Sequence, residues 1–402
     1  MNVHPFIEEN QQLIADFSTT QDVPFYAYDI DGLAQHINQL VNDDIKLWFA
    51  VKANPLSKII KTLADQGMQF DVASSGELEQ VLAQGVKPEH ILNTGPAKSL
   101  AQIRHFFEQG VSVFVAESVN QLALINQQAK EFGVVPSILL RVQLRFEQDI
   151  DNPLGGNELT PFGLGSDEWK EVDLSHYQHI NVVGLHIFQW GNMLEADALI
   201  DLWQAMIAPL KSLANALGFE LSVLDLGGGL GVPYDGEDRK LDWETLKQAL
   251  INIKTQAGVD ELWLELGRFA VAAYGYYVNR VVDVKNNYQQ DLVVMQGGIN
   301  HLLRPAITSQ PFPARLLRHS DSPSQLFHVH GPLCTSLDKL GTLALPSDIQ
   351  VDDMLIFSQC GAYGFTESMP FFLCHELPAE VIVSQGTVEV IRPALPAASY
   401  LF

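Results

Sequence analysis

The sequence has few cysteines, few basic residues and no long apolar run. Its three cysteines, Cys334, Cys360 and Cys374, form no CxxC pair, so we expect neither a disulfide framework nor a cysteine-based metal site. No stretch of about 18 uncharged apolar residues occurs, so no transmembrane helix is expected. The opening residues, MNVHPFIEEN, lack the basic and apolar regions of a signal peptide. These absences together predict a cytoplasmic protein.

Positive charge is scarce: 24 lysines and arginines stand against 48 aspartates and glutamates, which gives a net charge of −24. Nucleic acids and anionic membranes would repel such a chain, so neither is expected as a partner. At 402 residues the chain is long enough for two domains, and its 47% hydrophobic content is ordinary for a globular protein.

Short β-branched or aromatic runs alternate with longer helical patterns over residues 46–265. The eight predicted strands are 46–51, 69–73, 90–93, 112–116, 137–142, 182–187, 222–226 and 261–265. Eight strands alternating with helices predict a (β/α)8 TIM barrel, which we place in residues 1–270. A doubly wound open sheet is the alternative, since counting strands does not show whether the sheet closes.

The rhythm changes after residue 270, where strand-like runs are separated by turn residues with little helical spacing. This pattern predicts an all-β C-terminal domain in residues 271–402. A further strand, FYAYD at 25–29, precedes the barrel pattern, and the sequence leaves open which domain it joins. The longest loop-like region is 147–168, which is rich in glycine, proline and acidic residues.

In a barrel of this kind, functional side chains gather at the C-terminal ends of the strands. Several chemically distinctive residues fall at these positions. They are Lys52 after the first strand, Asp71 and Ser74 at the second, Arg141 at the fifth, His186 at the sixth, Gly227, Gly228 and Gly229 after the seventh, and Glu265, Gly267 and Arg268 at the eighth. Each residue alone has an ordinary structural explanation, so the set is more informative than its members.

The set meets the chemical requirements of pyridoxal phosphate (PLP). A lysine such as Lys52 supplies the Schiff base, and it needs apolar walls to stay neutral, which Trp48 and Phe49 are placed to give. Successive glycines after a strand let backbone N–H groups approach a phosphate. A carboxylate such as Glu265 could hold a pyridinium nitrogen protonated, and an imidazole such as His186 could stack on the ring. The barrel mouth is therefore a predicted PLP site.

Six motifs extend the pattern over nearly the whole chain: FAVKANP, FDVASSGELE, LDLGGGLGVPY, ELGR, GPLCTSLD and CGAYGF, in this order. As a set they resemble the fold-type III, alanine-racemase-like PLP-dependent decarboxylases, the group of the diaminopimelate, ornithine and lysine decarboxylases. The resemblance implies a PLP-binding barrel followed by a β-domain. It also implies a head-to-tail homodimer with active sites at the subunit interface.

The resemblance assigns roles to the matching positions. Lys52 would form the Schiff base, His186 would stack on the cofactor ring, Glu265 would pair with its nitrogen, and Gly227, Gly228, Gly229, Gly267 and Arg268 would hold its phosphate. Asp71 and Arg141 match positions near the lysine and the phenolic oxygen, and Tyr363 matches a tyrosine near the phosphate. Cys334 would reach across the dimer to protonate the carbon that loses CO2, while Arg304, Thr335 and Asp338 would contact substrate.

Three departures separate the chain from the diaminopimelate decarboxylases. Thr335 stands where they carry a glutamate for the distal amino group, RPAIT keeps Arg304 but ends in Thr308, and Gln189 replaces a phosphate-binding serine. Losing a charged partner costs on the order of 1–3 kcal/mol of discrimination, which disfavours meso-diaminopimelate. The motifs are closer to a biosynthetic-cluster subgroup that includes the decarboxylase of glutamate carried on an acyl carrier protein.

The resulting expectation is an α-decarboxylase of an amino acid, free or with a conjugated side chain. Decarboxylation of a free diamino acid (lysine, ornithine or diaminopimelate) is the alternative. A racemase would need a tyrosine base opposite Lys52, and GPLCTSLD with Cys334 argues against it. A non-catalytic PLP-binding regulator could dispense with the lysine or the cysteine motif, yet both are present.

Overall fold

The computed structural model describes residues 5–145, 159–236 and 239–401. Residues 147–158 of the long loop-like region therefore lie outside the described residues. The helices within the described ranges are α1 (Pro5–Thr20), α2 (Ile30–Leu40), α3 (Ser57–Asp65), α4 (Ser75–Ala83), α5 (Leu100–Glu108), α6 (Val119–Phe132), α7 (Ser166–Lys170), α8 (Ala196–Leu217), α9 (Trp243–Ala257), α10 (Arg268–Val271) and α11 (Arg304–Thr308).

The strands fall into two large sheets and one short pair. They are β1 (Phe25–Asp29), β2 (Ile45–Ala50), β3 (Gln69–Val72), β4 (Ile91–Asn93), β5 (Val113–Ala116), β6 (Ser137–Gln143), β7 (Leu164–Gly165), β8 (Asn181–His186), β9 (Val223–Asp225), β10 (Glu261–Leu266), β11 (Gly275–Asn287), β12 (Gln290–Met295), β13 (Ala314–Leu316), β14 (Ser324–His330), β15 (Lys339–Pro346), β16 (Met354–Phe357), β17 (Glu376–Leu377), β18 (Ala379–Ser384), β19 (Thr387–Arg392) and β20 (Leu395–Pro396).

One compact unit comprises His36–Gly231 and Lys240–Ala270. Its sheet runs in the order β5-β4-β3-β2-β10-β9-β8-β6, and β6 pairs back with β5. All neighbouring strands in this ring are parallel. The pairing of β5 with β6 closes the ring, so the predicted barrel is confirmed and the open sheet is excluded.

The lower part of the barrel interior is apolar. Inward-facing side chains from six strands form one buried cluster: Trp48, Leu92, Val115, Leu139, Val223 and Trp263. The rings of Trp48 and Trp263 lie 4.9 Å apart, centre to centre. Side chains repeat every two residues along a strand, so the position two residues further along each strand faces the same interior, one layer closer to the C-terminal ends.

Side chains cap the start of α4, α5, α6 and α9, four of the helices that follow barrel strands. Ser74 accepts a hydrogen bond from the Glu77 N–H at 3.2 Å, and the Glu77 carboxylate accepts one from the Ala73 N–H at 2.7 Å. These reciprocal bonds form a capping box, which satisfies two backbone donors at the start of α4. No helix in residues 5–145, 159–236 or 239–401 has the length and apolar composition needed to cross a membrane.

The other compact unit comprises Met1–Gln35, Val232–Arg239 and Val271–Phe402. Its main sheet runs in the order β15-β14-β12-β11-β1-β18-β19, with β16 pairing with both β11 and β13. The strand FYAYD is β1, which is antiparallel to β11 and parallel to β18. This strand therefore lies within the same sheet as β11 and β18, and α1 packs beside it through Phe6, Ile7 and Ile14.

Candidate active site

Charged and polar side chains line the layer above the apolar cluster of the barrel. Leu139, Val223 and Trp263 face the interior, so the residues two positions further along, Arg141, Asp225 and Glu265, face it as well. The strand register places Arg141 opposite His186 and His186 opposite Asp225. The ends of β6, β8, β9 and β10 therefore bring together four of the polar groups.

His186, Asp225 and Glu265 form the centre of this layer. The Nε2 atom of His186 lies 3.1 Å from Oε1 of Glu265, and one polar atom from each of the three residues lies within 4.8 Å of the others. His186 is 1% exposed and Asp225 is completely buried. A buried group of two carboxylates and an imidazole must share protons or gain a partner, because unpaired buried charges are strongly unfavourable.

Three carboxylates of the barrel mouth, Asp71, Asp225 and Glu265, differ in the direction in which their surroundings shift the pKa. Burial alone would raise the pKa of Glu265, but His186, Lys52 and Arg141 lower the pKa below its ordinary value. Burial and repulsion from Glu265 raise the pKa of Asp225 well above its ordinary value. The same two causes raise the pKa of Asp71 to about 8. Of these three carboxylates, Glu265 is therefore the one whose charged form its surroundings favour.

Two buried polar atoms at this layer have no hydrogen-bond partner among the described residues: Nδ1 of His186 and Oδ2 of Asp225. Buried polar atoms are normally satisfied, so these two are left for a polar partner that the described residues do not supply. A charged Glu265 suits a protonated ring nitrogen, and an imidazole suits an aromatic ring face. The donor set thus fits the pyridine ring of PLP.

The glycine triplet follows β9 and turns tightly against neighbouring backbone. Gly227 and Gly229 have φ angles of +64° and +94°, which other residues rarely adopt. A Cβ on Gly228 would lie 2.0 Å from the carbonyl oxygen of Glu265. All three positions therefore require glycine for packing, and the same bare backbone is what a phosphate-binding loop needs.

Lys52 lies directly after β2 in a single helical turn, Val51–Ala53, and its side chain is exposed. Burial raises the pKa of Asp71 and Glu77, and the Lys52 charge opposes this rise; it also adds to the effect of His186 in lowering the pKa of Glu265. The ammonium is therefore close to these carboxylates. The Trp48 ring belongs to the apolar cluster of the barrel, and Phe49 packs edge-on to Phe70. An aromatic wall around Lys52 therefore stays a prediction.

Comparison with known proteins identifies the family. Residues 29–272 match the model of the pyridoxal-binding domain of the pyridoxal-dependent decarboxylases. The chain belongs to the pyridoxal-dependent decarboxylases. The protein is thus an amino-acid decarboxylase with PLP as its cofactor, which confirms both predictions.

Several relatives of this decarboxylase are similar over almost their full lengths. The diaminopimelate decarboxylase of Vibrio cholerae is 30% identical, over 94% of this chain and 92% of the relative. The 2-[(L-alanin-3-ylcarbamoyl)methyl]-2-hydroxybutanedioate decarboxylase of Staphylococcus aureus is 28% identical, over 95% and 98%. The L-glutamyl-[BtrI acyl-carrier protein] decarboxylase of Niallia circulans is 26% identical, over 92% and 91%.

A solved structure shows the same fold. Diaminopimelate decarboxylase from Helicobacter pylori, complexed with L-lysine, superposes with a TM-score of 0.86 at 25% identity, covering 96% of this chain and 98% of that one. The predicted barrel with its C-terminal β-domain is thereby confirmed for the decarboxylase.

Gly267 and Arg268, both half-buried, follow β10 at the same end of the barrel as Glu265.

Sequence reasoning missed the ends of β4 and β5. Thr94 donates a hydrogen bond to the Asp71 carboxylate at 2.5 Å, and Glu117 pairs with Arg141 at 3.1 Å. Lys98 is 5% exposed, and burial lowers its pKa to about 8. The strand-end rule that found Lys52 would also have found Thr94 and Glu117, since each directly follows a predicted strand.

The Gln189 side chain, beyond the end of β8, is hydrogen-bonded to the backbone of Leu144, beyond the end of β6. Its side-chain oxygen accepts from the Leu144 N–H at 2.8 Å, and its side-chain nitrogen donates to the Leu144 carbonyl at 2.5 Å. The side chain thus makes the pair of hydrogen bonds with Leu144 that a neighbouring strand would make, one residue beyond the end of β6. Gln189 stands in place of the serine expected in related sequences, and these contacts give it a structural reason to be a glutamine.

The GPLCTSLD motif forms the turn between β14 and β15 in the C-terminal unit. Cys334 is exposed, whereas Asp338 is only 1% exposed. The Asp338 carboxylate accepts from the backbone N–H groups of Ile299 at 2.8 Å and Leu333 at 2.7 Å. Asp338 was predicted to face substrate, but its described contacts are with backbone and hold the loop that carries Cys334. Thr335, on the same loop, is half-buried.

Arg304 begins α11 and is engaged within its own unit. Its Nη1 donates to both carboxylate oxygens of Glu367, at 3.0 and 2.8 Å. Its guanidinium also lies over the ring of Tyr363, 4.8 Å from the ring centre. The arginine that is predicted to bind substrate is therefore already paired with a carboxylate of the same chain, Glu367.

Proposed function

We propose that this decarboxylase acts on an amino acid whose side chain is conjugated at its far end. The observation that carries the proposal is the Arg304–Glu367 pair, in which an internal carboxylate occupies the arginine. A substrate carboxylate would have to displace Glu367 to reach Arg304. Thr335 also provides no negative charge for a distal amine. A free zwitterionic side-chain end thus gains little from these positions.

Two relatives support this substrate class. By its name, the Staphylococcus aureus enzyme decarboxylates an L-alanine unit joined at carbon 3 through an amide to a hydroxybutanedioate. The Niallia circulans enzyme decarboxylates an L-glutamyl group on an acyl carrier protein. The second candidate, a free diamino acid, is favoured by the 30% identity to the Vibrio cholerae diaminopimelate decarboxylase.

We assign the cofactor contacts to the barrel mouth. Lys52 would bind the cofactor aldehyde through its amine, and Gly227, Gly228, Gly229, Gly267 and Arg268 would hold the phosphate. His186 would lie against the ring, and Glu265 would accept a hydrogen bond from the protonated ring nitrogen. Asp71 and Arg141 would orient the amine and the phenolic oxygen, and Tyr363 would lie near the phosphate. When bound, PLP supplies the electron sink that allows the α-carboxylate to leave as CO2.

We assign the final proton transfer to Cys334 of the partner subunit in a homodimer. The exposure of Cys334 leaves its Sγ accessible to a second chain. A thiol at this position would deliver a proton to the α-carbon after CO2 has left. The contacts of Asp338 with Ile299 and Leu333 would keep the thiol-bearing loop in one conformation.

The test is CO2 release by PLP-loaded protein from matched pairs of substrates. Each pair contains a free amino acid (2,3-diaminopropionate, lysine, ornithine or glutamate) and the same amino acid acylated or amidated at the end of its side chain. The proposal predicts faster release from the conjugated member of at least one pair. Faster release from the free member of every pair would contradict it, and a free diamino acid with the fastest release of all would then establish the second candidate.

A further inference from the structure

Glu117 is a buried carboxylate that collects three hydrogen bonds at the barrel mouth. It directly follows β5 and is 3% exposed. Its Oε1 accepts from the Gly95 N–H at 2.9 Å and from Nη1 of Arg141 at 3.1 Å, and its Oε2 accepts from the Gly163 N–H at 3.2 Å. A buried carboxylate is tolerated when it is paired and hydrogen-bonded in this way.

The contacts of Gly95 extend this arrangement to the Asp71 carboxylate. Gly95 donates its N–H to Glu117, and its carbonyl accepts from the Lys98 ammonium at 2.6 Å. Its neighbour Thr94 donates to Asp71 at 2.5 Å. Gly95 has a φ of +102°, so a glycine is needed for this turn. One chain of contacts therefore joins the C-terminal ends of β3, β4, β5 and β6.

Arg141 is enclosed on several sides and takes its counter-charge from Glu117. Its guanidinium lies 4.5 Å from the centre of the Phe162 ring, and its carbonyl accepts from Nε1 of Trp169 at 2.8 Å. A Cβ on Gly163 would lie 2.6 Å from that carbonyl oxygen. The ring and the close packing restrict Arg141, while the carboxylate fixes the direction of its charged end.

We propose that Glu117 is a positioning residue of the active site, which fixes Arg141 and the Thr94–Gly95 turn so that Arg141 and Asp71 meet the cofactor in one arrangement. This inference rests on the proposed role of Arg141 and Asp71 at the PLP site. Because the amide oxygen of a glutamine can still accept from the Gly95 N–H, loss of the Glu117 charge acts through Arg141. Replacing the Glu117 charge should therefore matter when Arg141 is present and matter little when it is absent.

The experiment is a double-mutant cycle on full-length protein, with PLP itself as the probe. Cofactor-free wild type, Glu117→Gln, Arg141→Met and the double variant are titrated with PLP, and the visible absorbance of bound cofactor gives Kd. Glu117→Gln keeps the size of the side chain and removes its charge. We expect about ten- to a hundredfold weaker PLP binding for each single variant. The double variant should bind no more than about threefold more weakly than the weaker single variant.

The proposal would be overturned if the fold loss of PLP affinity in the double variant equalled the product of the fold losses in the two single variants. Wild-type affinity in Glu117→Gln would also overturn it. Glu131→Gln on α6 is the matched control, because Glu131 is exposed and contacts Gln127 and Gln128 of its own helix. It should bind PLP as wild type does. Should Glu117→Gln not fold, the cycle is repeated with Glu117→Asp and Arg141→Lys, which shorten the two side chains and so disturb their 3.1 Å contact. Full multiplication of these two effects would again overturn the proposal.

The two proposals fail in distinguishable ways. Wild-type protein that binds PLP but releases CO2 faster from every free amino acid than from its conjugate would refute the proposed substrate class, and the cycle would still be interpretable. Wild-type protein that prefers a conjugate while the cycle multiplies fully would refute the positioning role alone.

Discussion

The barrel mouth and the Cys334 loop place their functional groups by different physical means. In the barrel, β6, β9 and β10 fix Arg141, Asp225 and Glu265, because the two-residue repeat of a strand carries each one above an apolar residue. In the C-terminal unit, a turn between two strands carries the exposed Cys334, and one buried carboxylate, Asp338, ties that turn to the backbone.

The difference shows where each region is vulnerable. A barrel residue is held by the ladder of hydrogen bonds on both sides of its strand, so its position survives the loss of one side chain. The loop of Cys334 has short-range backbone bonds of its own, such as that of the Thr335 N–H with the Leu333 carbonyl, but one side chain, Asp338, joins it to the Ile299 backbone. We therefore expect substitutions in the barrel mouth to alter chemistry while the fold persists, and substitutions at Asp338 to alter the loop itself.

The largest predicted effect compares the two ends of β2. Lys52 follows the C-terminal end, at the mouth, and Lys46 lies near the N-terminal end, where it pairs with Glu261 at 3.1 Å. Lys52→Ala should reduce CO2 release to background, because the chain loses the amine that binds the cofactor. Lys46→Ala should leave the rate close to wild type. Borohydride reduction followed by peptide mass spectrometry should find the cofactor attached to Lys52 in the Lys46→Ala protein.

The same comparison can fail in a defined way. Turnover by Lys52→Ala at the wild-type rate would remove Lys52 from the assignment. Loss of activity in Lys46→Ala without unfolding would show that the two ends of the strand do not differ as the barrel geometry requires.

The sequence predicts the barrel mouth better than it predicts the contacts of the C-terminal loops. All eight barrel strands were predicted, and the residues at their C-terminal ends followed from strand periodicity. Thr94 and Glu117 were missed although the same rule reaches them, because a threonine and a glutamate after a strand look ordinary. The Arg304–Glu367 and Asp338–Leu333 contacts join residues through loop conformations, which no periodicity encodes.

The next largest effect compares two exposed cysteines of the C-terminal unit, Cys334 and Cys374. Cys334→Ala should slow product formation about 10²–10⁴-fold, because the proposed proton donor is removed. Cys374→Ala should retain the wild-type rate. Product analysis by mass spectrometry in deuterated water should show altered delivery of the α-proton in the Cys334 variant alone. Equal rates and products in the two variants would remove Cys334 from the proposed mechanism.

A smaller effect concerns pH and the stability of the cofactor-free barrel. Burial and repulsion from Glu265 raise the pKa of Asp71 from 3.8 to about 8. The folded state therefore holds a proton that the unfolded state has released, so the stability from Asp71 is fully present below pH 3.8 and is lost as pH rises to about 8. The slope is at most about 1.4 kcal/mol per pH unit.

Asp71→Asn should flatten this part of the pH profile, as measured by urea unfolding at several pH values. Asp167 provides the control, because its carboxylate is exposed and pairs with Lys170 at 2.8 Å. Asp167→Asn should leave the wild-type slope between pH 3.8 and about 8 almost unchanged. An unchanged slope in Asp71→Asn would show that other groups determine the pH dependence.

The smallest predicted effect is at Gln189, where we expect a substitution to change the free energy of unfolding but not the affinity for PLP. Its two bonds with the Leu144 backbone, at 2.8 and 2.5 Å, continue the pairing beyond the end of β6. Gln189→Ala should lower the free energy of unfolding by about 1–3 kcal/mol, because the buried backbone groups of Leu144 lose these partners. PLP affinity should change by less than about threefold, since glycine N–H groups and Arg268 are the proposed phosphate contacts. A large loss of PLP affinity at unchanged stability would instead make Gln189 a phosphate ligand.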